Sequence, residues 1–374
     1  MLSITKKIIL VILCLSYFKI ANAEISLSGY QEFFAGSADQ TTANGVSEHG
    51  IDIGGGLHNG TYTRITTEYS STLDSGIDVS GVYTIGSRDC RGSYTDNCDV
   101  THLNYLSFSG GFGAIAIGEH FDVGASMLSR LTASVPTAEP DGANITGFYT
   151  TSAANNYGTA NETAYASNSM KITYNSIIYN GFSFAIGYTP NTAETGTHDD
   201  AQATTIENSK YTTFSDVLTT IGKYSIAIDG IGLELAYGIL SGNAGQVAGT
   251  NYNDLEETVY SALVTYRDFS IDYRKNESDN SGQEKNGQAG NDEGTSVCGM
   301  YKLGAIGLGA CLVETSFTDT SNLSNDSKTR TYSADYSLGG GLTLGAVYFD
   351  VEQTANGAIQ TDADGIMSML SYGF

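Results

Sequence analysis

From Glu24 onward apolar and polar side chains alternate one by one in segments of about ten residues, the period of a strand with two unlike faces. Sixteen such segments can be placed, beginning near Glu24, Thr61, Ile77, Asp99, Phe112, Ser169, Phe182, Asp216, Ile231, Glu257, Phe269, Thr295, Leu308, Thr331, Leu342 and Gly365. In the last of them Ile366, Ser368, Leu370, Tyr372 and Phe374 share a face, and near Phe269 the matching set is Phe269, Ile271 and Tyr273. The opposite faces carry Ser261, Arg267, Asp272, Arg274, Ser333 and Asp335. One face suits hydrocarbon and the other suits water.

The connections alternate too. Short turns such as Leu73-Asp74-Ser75-Gly76, Asn180-Gly181, Asp229-Gly230 and Gly339-Gly340-Gly341 have hairpin chemistry, and a long polar loop falls on every odd step. Long loops therefore gather at one end and short turns at the other. The pattern predicts an all-β fold, a 16-stranded antiparallel transmembrane β-barrel closed by pairing its first strand with its last, which leaves no sheet edge in lipid. Ten residues at about 3.3 Å, tilted by roughly 40°, rise on the order of 25 Å, the height of an apolar band. A cation facing lipid at mid-depth would cost roughly 2–4 kcal/mol. Arg64 and Lys171 are accordingly assigned to the inner wall, as their parity against Ile65, Tyr69, Met170 and Ile172 requires, and Glu68, Arg267, Asp272 and Arg274 are placed on the same wet surface. The fourth and fifth strands alternate less cleanly, and their facing stays open.

The stretch His120 to Asn168 has no period at all. A structureless loop of this length inside a compact domain is a functional element or an error of assignment. We read residues 119–168 as a loop folded into the mouth of the barrel, with residues 24–374 forming the barrel itself.

Composition sets the compartment. Lys6-Lys7, the apolar run Ile8 to Phe18 and Ala21-Asn22-Ala23 have the layout of a secretory signal peptide, residues 1–23. Its removal takes away Lys6, Lys7 and Lys19 and no acid, turning the formal charge of −24 into −27. Such a surplus argues against nucleic acid as a partner. No later segment is long and apolar enough for a membrane helix. The cysteines of an exported chain can form disulfides; Cys90 and Cys98, close together in one polar loop, are the candidate pair, while the register of Cys298 and Cys311 cannot be fixed from sequence. No CxxC spacing suggests a metal, and no cofactor is implied beyond weak binding of divalent cations by the acidic loops, which lack EF-hand spacing.

Three stretches resemble a known family. Glu24-Ile-Ser-Leu-Ser-Gly-Tyr30 looks like the opening of alphaproteobacterial general porins. Asn168 to Ser176 with Gly181 to Tyr188 is similar to the strand pair after the third loop of general porins, and Phe374 with Tyr372 and Leu370 resembles the C-terminal signal read by the barrel-assembly machinery. The resemblance implies an inward-folded third loop, a homotrimer, and a place among lipid and lipopolysaccharide in the outer membrane of a Gram-negative bacterium. It also implies a pore constriction in which loop acids, here Asp122, Glu139 and Asp141 with Glu119 and Glu162 beside them, face wall bases, here Arg64 and Lys171. Two departures stand out: Gln31-Glu32 occupies a place where many relatives carry Gly-Arg, putting an acid, Glu32, on the wall, and the loop has its own cation, Arg130.

These features predict a water-filled channel for passive diffusion of ions and small hydrophilic solutes, cation-preferring at low salt. A channel for one substrate or a surface adhesin would share the layout. Against the first, the assigned lumen positions are mostly Ser, Thr, Gly and charged, with Phe349 an exception. Enzyme chemistry finds no support: His49, His58, His102, His120 and His198 have no GxSxG or HExxH partners.

Overall fold

The structure, a computed structural model, describes residues 24–42, 47–54, 62–87, 101–129, 131, 145, 148–149, 169–192, 214–247, 249–285, 291–318 and 324–374. In chain order its strands are β1 (Glu24–Thr42), β2 (Ser47–Gly54), β3 (Tyr62–Thr72), β4 (Asp78–Ser87), β5 (Thr101–Gly110) and β6 (Gly113–Glu119). A short helix, α1 (Val123–Met127), precedes β7 (Met170–Asn175), β8 (Phe182–Asn191), β9 (Phe214–Ile228) and β10 (Ile231–Ala244). After a ribbon of β11 (Gln246–Val247) and β12 (Thr250–Asn251) come β13 (Leu255–Tyr266), β14 (Phe269–Asp279), β15 (Asn291–Leu303), β16 (Ile306–Thr318), β17 (Ser324–Gly339), β18 (Leu342–Ala355) and β19 (Ala358–Gly373). Successive strands pair antiparallel, and β19 returns to β1 in a ladder from Tyr30↔Gly373 to Thr42↔Thr361. On the other flank of β1, β3 pairs with Glu24 to Glu32 and β2 with Phe34 to Thr41, so the two together form one stave. The result is an all-β, closed, 16-stranded antiparallel barrel.

Alternation explains the closure. Along β19 every second residue is buried and its neighbours exposed, with Ile366 at 59% and Leu370 at 40% on the outside while Met367 is fully covered inside. Such a sheet needs two solvents. At the seam the terminal residue joins the ladder: Phe374 N–H donates to the Gly29 carbonyl at 2.9 Å, and Gly29 N–H to the Phe374 carbonyl at 3.0 Å. The Phe374 ring lies over Gly29, where a Cβ would come within 2.8 Å of it.

Three expectations are corrected. The later strands begin earlier than the apolar count places them, β17 at Ser324 and β19 at Ala358, because their outer ends carry charge on the outward face. On β17 Lys328 pairs with Glu314 and Arg330 with Asp350, and on the outward face of β14 Lys275 pairs with Glu277 at 2.5 Å and with Glu293 of β15 at 2.9 Å. The last outer connection is the tight turn Asn356-Gly357, both at positive φ (51° and 73°), and not a long loop. Arg267 leaves the lumen wall altogether. It sits at positive φ (53°) in the exposed turn between β13 and β14, its guanidinium 5.0 Å from the centroid of the Tyr266 ring.

Candidate functional site

Inside the barrel, the site begins where the chain leaves the wall. Gly118, near the end of β6, has φ of 139°, and a Cβ there would lie 2.4 Å from the Asn104 carbonyl. Only glycine turns the chain inward at this point without strain. His120 follows, packed on the inward ring of Tyr105 at 5.0 Å between centroids. Then comes Asp122, whose carboxylate leans over Gly187 on β8, where a Cβ would be 2.5 Å from its Oδ1. Helix α1 starts directly after it.

Lys171 ties the two ends of this excursion together. Its Nζ donates to the His120 carbonyl at 2.6 Å, on the outgoing limb, and to the Ser169 carbonyl at 2.7 Å, on the returning one. Lys171 is 2% exposed, with Glu119 and Asp122 as its charged neighbours. The side chain placed on the rim by sequence is therefore enclosed as a clamp. Burial, then the nearby Lys171 charge, hold the His120 imidazole down to about 4, so it is neutral at physiological pH.

From that root the described loop residues run over the inner wall and dock on it in three places. Val123, Met127 and Leu128 enter a buried cluster with Ala185 of β8, Phe214, Val217 and Ile221 of β9, Leu240 of β10, and Leu255 and Val259 of β13. Leu131 packs on Cys298, Met300 and Cys311 of β15 and β16. Ile145, Phe148 and Tyr149 cover Phe34 of β1, Val347, Phe349 and Val351 of β18, and Met367 and Met369 of β19. Burying each such side chain contributes roughly 1.5–3 kcal/mol. Backbone groups add direction: Ser129 N–H donates to Ser261 Oγ at 3.1 Å and Leu131 N–H to Asp272 Oδ2 at 2.9 Å. Asp272 and Arg274 face inward but are 1% and 2% exposed.

The lumen wall is thus not polar throughout; broad apolar patches interrupt its Ser, Thr, Gly and charged positions and serve as docking ground. Their signal was present in the sequence. Ile366-Met367-Ser368-Met369-Leu370 and Leu235-Ala236-Tyr237-Gly238-Ile239-Leu240 are apolar on both faces, which a wall between lipid and water alone would not need.

None of the three clusters includes β3 or β4 among the described residues. There the inward face presents Arg64, its guanidinium 5.6 Å from the Tyr30 ring centroid, the hydroxyl pair Thr66 and Thr84 at 3.0 Å, and exposed Glu68. Glu32, on β1 beside them, accepts from Ser371 Oγ at 3.4 Å. Arg130, Glu139, Asp141, Glu162 and the Cys90–Cys98 pair lie outside the described residues. The disulfide among the described residues is Cys298–Cys311, directly opposite in the β15–β16 ladder.

A closed barrel with a lipid-compatible exterior and a loop docked inside its lumen defines a membrane channel of the porin class. The chain belongs to the Gram-negative porin family, whose sequence profile matches residues 13–366. It is an outer-membrane β-barrel channel and not an enzyme. No curated protein sequence matches the chain significantly. Among solved structures it is similar to the anion-selective porin from Comamonas acidovorans, with 12% identity, a TM-score of 0.61, and coverage of 94% of this chain and 100% of the other. It is similar to Salmonella typhi OmpF in complex with daunomycin at 14% identity and TM-score 0.63, covering 94% and 97%. In vitro folded OmpT of Vibrio cholerae, solved in a trimer form, has 12% identity and TM-score 0.58, covering 94% and 99%.

Proposed function

We propose that this porin is a passive diffusion channel for ions and small hydrophilic solutes, cation-preferring, with residues 119–168 as its constriction and the passage running past β3 and β4. The alphaproteobacterial lineage, cleavage of residues 1–23, assembly through Phe374, lipopolysaccharide contact and a homotrimer complete the reading. One observation carries the selectivity: the inner face of β1 and β3 sets Glu32 and Glu68 against Arg64. Of the other inward carboxylates among the described residues, Glu234 stands beside Lys223 at 2.7 Å and Asp272 is enclosed beneath the loop. The anion selectivity in the name of the Comamonas porin does not transfer at 12% identity.

Reversal potentials across a planar bilayer under a potassium chloride gradient test the reading. Cation preference at low salt that fades as screening shortens is expected; anion preference at low salt refutes it. Three equal conductance steps per insertion are expected of the trimer. Vesicle swelling graded by sugar size supports general diffusion, whereas uptake of a single solute overturns it.

A further inference from the structure

We propose that the Cys298–Cys311 disulfide, with Asp272 beside it, is the seat that fixes the outgoing limb of the constriction loop, at Leu131, to the barrel wall. The proposal rests on residues 119–168 being the constriction.

The bond is poorly explained as a brace for its own strands. β15 and β16 are already joined by the turn Gly304-Ala305 and by a continuous ladder from Glu293↔Ser316 to Leu303↔Ile306. Its cysteines are 13 residues apart, and a cross-link closing so short a loop constrains the unfolded chain least. What distinguishes the position is its lumen side. Cys298 and Cys311 point inward, 0% and 5% exposed, and Leu131 of the loop lies on them, itself 7% exposed. Asp272 stands directly opposite Cys298 in the β14–β15 ladder and accepts the Leu131 N–H at 2.9 Å. Two residues earlier on β13 than Leu263, the partner of Asp272, Ser261 takes the Ser129 N–H. The loop is held by a directional polar bond and an apolar contact at the same residue. The disulfide supplies the contact: it joins two small side chains into one apolar surface, flanked by Met300 and partly buried Leu263. Two hydroxyls would not present that surface. Cys298, Cys311 and Asp272 are positioning residues that act on permeation through Leu131.

The test is single-channel recording of the full-length protein in planar bilayers, with heat-modifiable gel migration checking that each barrel is folded. The variants are C298S/C311S, L131A, D272N and C298S/C311S combined with L131A; V297A, whose side chain faces outward on β15, is the control. Loss of the steady open level, replaced by flicker between seated and unseated levels, is expected for the first three. The combined variant should be no worse than L131A alone, because residues acting as a unit are not additive. V297A should record as wild type. A steady wild-type level in folded C298S/C311S overturns the proposal, and so does full additivity with L131A. If C298S/C311S does not fold, D272N and L131A decide by the same readout. A wild-type protein that carries no current would instead sink the functional reading, leaving the two failures distinguishable.

Discussion

Lys171→Met separates a clamp from a rim charge. In the folded channel the ammonium bonds two main-chain carbonyls, at 2.6 and 2.7 Å, from opposite limbs of the loop. A hydrogen bond to a charged group is worth roughly 1.5–3 kcal/mol, so the substitution removes about 3–6 kcal/mol of attachment. Methionine fills similar space but donates nothing to either carbonyl, and it leaves Glu119 and Asp122 without their neighbouring cation. Helix α1 keeps its own hold through Val123, Met127 and Leu128, at roughly 1.5–3 kcal/mol each, so the loop should loosen at the root while staying docked beyond it. Bilayer recordings of Lys171→Met should show a noisy open level with nearly unchanged reversal potential. Arg64→Gln should do the reverse, shifting the reversal potential toward cations with a quiet level. A Lys171→Met channel as quiet as wild type, with its reversal potential moved as far as in Arg64→Gln, would refute the clamp.

Glu68→Gln should lower the cation preference by up to about fivefold at low salt, since a unit charge about 4 Å from an ion in water is worth about 1 kcal/mol, and the difference should vanish near molar salt. Acid should loosen the loop root through His120. Its value falls from 6.5 to about 4 on docking, so the stability tied to the neutral ring is full above 6.5 and is lost as pH falls toward 4, amounting to about 3 kcal/mol at the acid end. Closing events counted between those limits should rise in wild type and stay flat in His120→Phe. Arg267→Ala should change neither reversal potential nor conductance, and its stability effect should stay within about 0.5 kcal/mol, as for an ordinary surface position; a selectivity shift would return Arg267 to the lumen.

The barrel was legible because its constraint is repetitive. Each stave must satisfy lipid on one side and water on the other, and that demand is written into alternate letters from Ile25 to Tyr372. Legibility failed where the outward face is itself polar, as at Lys328 and Arg330, because the parity that marks lipid disappears above the apolar band. It failed at Arg267 for a local reason: parity carried one residue past the end of β13 still points inward, but the chain has already entered the turn. Parity did place Lys171, Asp272 and Arg274 on the inner surface, yet alternation reports only which side of the sheet a residue faces. It cannot tell a side chain that meets the passage from one enclosed by a loop.

That last distinction has its own sequence signature. A wall between lipid and open water can be polar on its inner face everywhere, so apolar residues there mark ground that something else must cover. In β9, β10, β13, β18 and β19 the inner face carries Ile221, Leu240, Val259, Phe349 and Met367, each at most 2% exposed, and the matching apolar residues are the ones dispersed through the aperiodic stretch: Val123, Met127, Leu131, Ile145 and Phe148. The loop had no period because its contacts are spread round a cylinder instead of along one face. Its apolar letters and those of the inner wall are two halves of one interface, and β3 and β4 are among the strands that its described clusters do not reach, their inward face keeping Arg64 and Glu68.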